Sequence, residues 1–285
     1  MFFLLRIALF GISCPVNELH LVGGVHDAHR ALHSTVIINP GVTSIGNLAF
    51  WYHTNLSNVT ISSTVKTIDG CAFLGCTSLL EIDIPEGVTS ILGSAFWRCS
   101  NLETISLPSS LTTFWVNAIT DCPSLSYILV DEASTTFSSV DGVLYNRAGT
   151  TLLRYPPARD AAAYTVPNSV TIIGEHAFSG NVFLESVTFG KNINRIRGFA
   201  FSNCSNLKKV YFRDDAPTVV EMSEYDNSFP ETAALYYPTS ATDWSTPTWE
   251  GYIAYPYEDE GNSSETQSET DLLLERIKKL DHPIG

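Results

Sequence analysis

Three histidines, His26, His29 and His33, fall at i, i+3 and i+7, a spacing that would set them along one face of a helix and within reach of zinc or nickel. The segment that carries them lacks helical patterning, so the cluster is read as accidental, and no metal or cofactor is expected. His53 and His176 stand far apart in the chain with no serine or cysteine nucleophile motif beside them. No G-x-S-x-G, phosphate-loop or H-E-x-x-H pattern occurs anywhere. Glu81 and Asp83 form a carboxylate pair at i and i+2, which on an exposed strand is a solvated surface and not an acid–base couple. The chemistry-bearing residues therefore predict no catalytic site and no enzyme.

Four of the six cysteines do follow a rule. Cys76, Cys99, Cys122 and Cys204 each stand three residues after the same column of a twenty-three-residue repeat, whose members are Phe50, Phe73, Phe96, Ile119, Phe178 and Phe201. Self-similarity at such a period marks a solenoid, in which each unit buries its apolar face only by stacking on the next. Side chains in one column run parallel, which suits neither the dihedral of a disulfide nor a tetrahedral metal site. The cysteines are expected to be small buried hydrophobes. Free thiols lean towards a reducing compartment.

The remaining columns specify the coil. Alanine precedes the aromatic position at 49, 72, 95, 118, 177 and 200, where only close packing explains an invariant small residue. Leucine follows six residues after it at 56, 79, 102, 125, 184 and 207. Ile82, Ile105, Ile128, Val187 and Val210 then alternate with polar neighbours at a period of two, predicting a short half-buried strand in each coil. A second short strand is expected around Ile45, Ile68, Ile91, Phe114, Ile173 and Ile196, with a short helix or tight turn at the Ala-Phe step.

This pattern resembles the BspA-type leucine-rich repeat, carried by the run Val88, Ile91, Ala95-Phe96, Cys99, Leu102, Ile105 and Leu107 and by proline-led turns such as Pro85-Glu86-Gly87 and Pro108-Ser109-Ser110. The resemblance covers about residues 36 to 257 and implies an α/β leucine-rich-repeat solenoid with a parallel β ladder on one face. Members of that family are commonly surface or secreted proteins of bacteria and protists, some implicated in adhesion. The expected function is accordingly non-enzymatic binding of a protein or glycan, extracellular or at the cell surface. The alternative is an intracellular scaffold that recruits partners through the repeat face and a C-terminal helix.

In such a repeat the outward strand positions form the binding face. They are Asn58 and Thr60, Glu81 and Asp83, Thr104 and Ser106, Tyr127 and Leu129, Ser186 and Thr188, and Lys209 and Tyr211. Tyr127 with Leu129 is an apolar pair among polar neighbours. The adjacent hairpin is expected to fold over and bury it; left open, it would be a recognition hot spot.

The chain organisation follows. Residues 1–16 are either an export signal interrupted by Arg6 or an atypical first segment, and 17–38 form a degenerate cap. Repeats run over 39–212, with a variant hairpin repeat at 131–163 turning at Asn146-Arg147-Ala148-Gly149. An aromatic, proline-rich cap at 213–257 covers the last coil, and an acidic tail at 258–285 ends in a short amphipathic helix through Leu272, Leu273, Leu274, Ile277 and Leu280. Asn55, Asn58, Asn203 and Asn262 begin glycosylation sequons. A net charge of −14 with sixteen Lys and Arg excludes a nucleic-acid footprint, and no apolar run is long enough to cross a membrane. The chain is expected to be monomeric.

Overall fold

A computed structural model describes residues 34–220 and 228–258, together with the backbone of three two-residue strands, Ile7–Ala8, Gly11–Ile12 and Glu18–Leu19. The histidine cluster, the C-terminal helix and, apart from Ile7–Ala8 and Gly11–Ile12, the segment read as an export signal lie outside the residues so described.

The chain winds into a solenoid with two parallel ladders. The front ladder pairs Thr35–Ile38 with Asn58–Ile61, and Glu81–Asp83 with Thr104–Leu107 and Tyr127–Val130. It resumes with Ala163–Thr165, Ser186–Thr188, Lys209–Tyr211, Ala234–Pro238 and Tyr252–Tyr257. The rear ladder joins Glu18–Leu19, Ser44–Ile45, Thr67–Ile68, Ser90–Ile91 and Thr113–Phe114. Registers advance by one period, as in Thr104 opposite Tyr127, because the same apolar columns must meet in every coil. Ile68, Ile91, Ile105, Ile128 and Leu102 are all fully buried.

The Ala-Phe step is a tight turn in nearly every coil. The one regular helical segment among the described residues is the 3₁₀ turn Val116–Ile119, so the fold is almost wholly β, with tight turns where short helices were one expectation. Each turn is held to the next by its own backbone bonds: the amides of Phe50, Phe73 and Phe96 donate to the carbonyls of Ala72, Ala95 and Ala118 at 2.7, 2.7 and 2.8 Å. The phenyl rings follow the backbone, with Phe50 on Phe73 at 5.1 Å and Phe73 on Phe96 at 5.3 Å between centroids. Two residues before and two after the aromatic the backbone turns left-handed, at Leu48, Cys71, Ser94, His176 and Phe199 and again at Tyr52, Arg98, Asp121 and Asn203. Few of these are the residue types that favour positive φ, so the stack and not local preference imposes the conformation.

The cysteine column is buried and unpaired. Each thiol donates to the carbonyl of the aromatic residue one coil back: Cys76 to Phe50 at 3.2 Å, and Cys99, Cys122 and Cys204 to Phe73, Phe96 and Phe178 at 3.1 Å each. Asn181 takes the same place in its own coil and satisfies both ends of its amide there, accepting from the amides of Phe183 and Leu184 and donating to the carbonyls of Pro156 and Arg159.

Between the coils of Ile119 and Phe178 the array carries an insertion. Phe137–Val140 pairs antiparallel with Val143–Asn146, which pairs antiparallel with Thr151–Arg154, and the last of these runs parallel to Ile172–Ile173. Tyr155 lies one period before Phe178, stacks on it at 5.2 Å, and donates its amide to Ala177 at 2.6 Å, so it is the aromatic of a regular coil. Arg154 thereby occupies the alanine column. The hairpin divides the apolar interior into two clusters that meet at Val143 and Leu144.

Past Phe212 the ladder goes on. Phe229 continues the aromatic stack on Phe201 at 5.1 Å, and Leu235 is fully buried behind the strand Ala234–Pro238. Trp244 then stacks on Tyr237 at 4.7 Å and meets Phe212 and Trp249 at the same 4.7 Å, closing the apolar end. No helix among the described residues is long and apolar enough to cross a membrane.

Candidate functional site

The front ladder sets alternate side chains outward, and the first three of its coils in the candidate set follow the expectation. Asn58, Thr60, Glu81 and Asp83 are exposed, and Thr104 and Ser106 are half-buried in their midst. Ser186 and Lys209 are half-buried as well. Thr188 and Tyr211 do not belong to an exposed face: Tyr211 is 1% exposed and Thr188 8%. The two are register partners, and Tyr236 stacks on the Tyr211 ring at 4.9 Å. A bulky ring beside threonine in a ladder with strands about 4.8 Å apart shades it from solvent.

Tyr127 and Leu129 reverse the expectation in the other direction. They are 52% and 46% exposed, so the hairpin does not cover them. The turn at Asp141-Gly142, which joins Phe137–Val140 to Val143–Asn146, instead meets the strand edge. Ile128 donates its amide to the Gly142 carbonyl at 3.1 Å, Val130 to the Ser139 hydroxyl at 3.1 Å, and the Arg159 guanidinium donates to the Asp141 carbonyl. Gly142 must be glycine there, since a Cβ would sit 2.7 Å from the Tyr127 ring. The hairpin thus extends the ladder sideways, leaves the pair open, and adds exposed Val140 from a neighbouring strand.

Beside Leu129 lies a shallow cavity of about 370 Å³ bounded by Ser106 and Pro108 and by three carboxylates, Asp83, Glu86 and Asp131. Ser109 donates both its amide, at 2.7 Å, and its hydroxyl, at 2.9 Å, to Glu86, and these bonds hold the Glu86 carboxyl below the usual range and keep it charged. The strand spacing places Asp83, Ser106 and Leu129 in one row. Sequence alternation identified that row but not Glu86 or Asp131, which stand in the turns after their strands.

Among the described residues no group of three His, Cys, Asp or Glu side chains could hold a metal ion. His53 and His176 lie in different turns, where His176 stacks on Phe199 at 4.9 Å, and neither approaches the strand face.

The chain matches the profile of the BspA type leucine-rich repeat region in six copies, over residues 29–140 and 160–232. Among solved structures it is similar to a leucine-rich repeat protein from Eubacterium ventriosum, at 20% identity and a TM-score of 0.56, over 81% of this chain and 75% of that one. It is similar also to the pneumococcal vaccine antigen PcpA, at 18% identity and a TM-score of 0.53, over 79% of this chain and 80% of that one. No curated protein matches it. Six matched copies over more than half of the chain, with the coil geometry described above, make this protein a member of the BspA-type leucine-rich repeat family.

Proposed function

We propose that the chain is a non-enzymatic binding module, working at the cell surface or in the medium, that holds a protein or glycan ligand on its front strand face. The observation that carries the reading is the open apolar pair Tyr127 and Leu129 beside the carboxylates Asp83, Glu86 and Asp131. Aromatic and aliphatic side chains left about half exposed in a row of polar ones lie outside the buried core of the coils, and such anchors ringed by charge are what recognition surfaces use. The best-fitting ligand presents an apolar group flanked by cationic ones, as a lysine- or arginine-bearing protein segment does.

The test screens the full chain against matrix proteins and glycans by surface plasmon resonance, then repeats the measurement with Tyr127→Ser and Leu129→Ser together and with Asp83→Asn and Asp131→Asn together. The apolar variant should bind at least about tenfold more weakly with an unchanged melting temperature. The carboxylate variant should lose affinity most at low salt. Binding that survives both variants, or that disappears only when 258–285 is deleted, would overturn this assignment in favour of a scaffold acting through its tail.

A further inference from the structure

Arg154 stands where every neighbouring coil has a small residue, Ala118 on one side and Ala177 on the other. It is 2% exposed, among the largest of the fully buried side chains of the described residues. Its guanidinium donates to the carbonyl of His176, while Nε has no acceptor and the side chain has no ion-pair partner among the described residues. A buried arginine stays charged, and a buried charge without a counter-ion is retained only against a large desolvation cost.

The neighbouring groups do not supply that counter-ion. Burial pushes the thiols of Cys122 and Cys204 up to about 12, so both are neutral at physiological pH. Asp121 is the acid nearest in sequence register, but its Oδ2 already accepts from Trp97 Nε1 at 2.9 Å and faces Arg98 at 3.8 Å.

Arg154 lines a groove of about 490 Å³ on the turn side of the solenoid, which runs across the coils from Tyr52 to Asn203 and passes the junction between the coils of Ile119 and Tyr155. The repeat of turn bonds is interrupted at that junction. The hairpin adds strands to the rear sheet between these two coils, and on the turn side the Ala158 amide donates to the Leu125 carbonyl at 2.9 Å in place of the regular bond from the aromatic residue to the next alanine column. Cys122, Pro123 and Pro157 form apolar wall around the guanidinium, and Arg98 and Asp121 stand with them in the lining. The cavity's charged residues sum to one surplus positive charge, from two arginines and one aspartate, in a chain whose net charge is −14. Its volume lies in the range of small-molecule sites, about 300–1,000 Å³.

We infer that this groove, at Arg154, is a binding site for a small organic monocarboxylate, whose carboxylate pairs with Arg154 and whose apolar body lies against Cys122, Pro123 and Pro157. One surplus charge suits a singly charged carboxylate better than a dianionic phosphate, and the planar guanidinium offers the fork that a carboxylate accepts. None of the strand-face residues lines this cavity, so the site is separate from the ligand face proposed above.

The test is saturation-transfer NMR on the full chain with octanoate and with 3-phenylpropionate, each beside its neutral amide. Both carboxylates should receive saturation from the protein, the amides at least fivefold less. Arg154→Met should abolish the transfer. Pro123→Trp, a change at an exposed lining position that fills the groove beside Arg154 and leaves the arginine in place, should do the same and serves in case the first variant does not fold. Equal transfer to acid and amide, transfer retained in both variants, displacement by an equal concentration of inorganic phosphate, or no transfer to either acid would each overturn the proposal.

Discussion

Leu102→Ala tests the packing logic and the division of the core in one substitution. Leu102 is fully buried in the first apolar cluster, between Leu79 and Leu125 of the adjacent coils. Truncation removes three carbons, about 2.4 kcal/mol at about 0.8 kcal/mol for each buried methylene. A cavity cost adds to it, because Glu103 is tied by its amide to Leu80 at 2.7 Å and through its carbonyl to Ser126 at 2.9 Å, which limits collapse of the coil. The expected loss is about 3–4 kcal/mol, a large share of the 5–15 kcal/mol that is typical of a folded domain. A solenoid transmits such a loss chiefly to its nearest neighbours, and the hairpin seam at Val143 and Leu144 separates this cluster from the second. Native-state hydrogen exchange should therefore lower the opening free energy of residues 59–130 by that amount and of residues 170–210 by less than about 1 kcal/mol. An equal fall in both halves would refute the two-cluster reading. A fall below about 1 kcal/mol in the first half would refute the burial argument itself.

Three further outcomes follow from named contacts. Native-state alkylation followed by mass spectrometry should label the half-buried Cys71 and spare Cys76, Cys99, Cys122 and Cys204, whose burial keeps them as neutral thiols; modification of the column at the rate of Cys71 would contradict this. Since Cys76, Cys122 and Cys204 ionise at 9.0 in the open chain but near 12 when folded, their contribution to stability is fully present below pH 9 and is lost as pH rises from 9 through about 12; the urea midpoint should fall in that window, and Cys→Ala replacement in the column should flatten the fall. Gly87→Ala should lower stability by more than about 1 kcal/mol in thermal melts, because φ is +105° and the new Cβ would lie 2.2 Å from the Ser63 carbonyl oxygen.

The columns were legible because burial repeats with the period: Ala95, Phe96, Cys99, Leu102 and Ile105 recur at fixed offsets, and every one of them is sealed in the structure. What the columns do with their polar atoms was not legible. Nothing in a cysteine's spacing says that its thiol finds the Phe carbonyl one coil back, and nothing in Leu48, Ser94 or Arg98 announces positive φ. Alternation gave outward positions correctly through Leu129 but failed at Thr188 and Tyr211, because it reports the direction of a side chain and not what stacks above it. A signal for the Tyr155 coil did exist, since Tyr155 stands one period before Phe178; arginine in place of alanine concealed it.

The turn bonds, the thiol bonds and the strand registers all step by a single period, so an ordinary coil holds hardly any contact that reaches past the next one. Excising one whole period from within 42–114 would rejoin surfaces that already match, and duplicating one would do the same. The length of this array is therefore a heritable variable that recombination can alter without redesigning the fold. The Tyr155 coil is the exception: its hairpin and its buried arginine occur once among the described residues, and a crossover through them would have no equivalent partner to join. Among related arrays of differing length, that unit should stay single while the coils on either side of it vary in number.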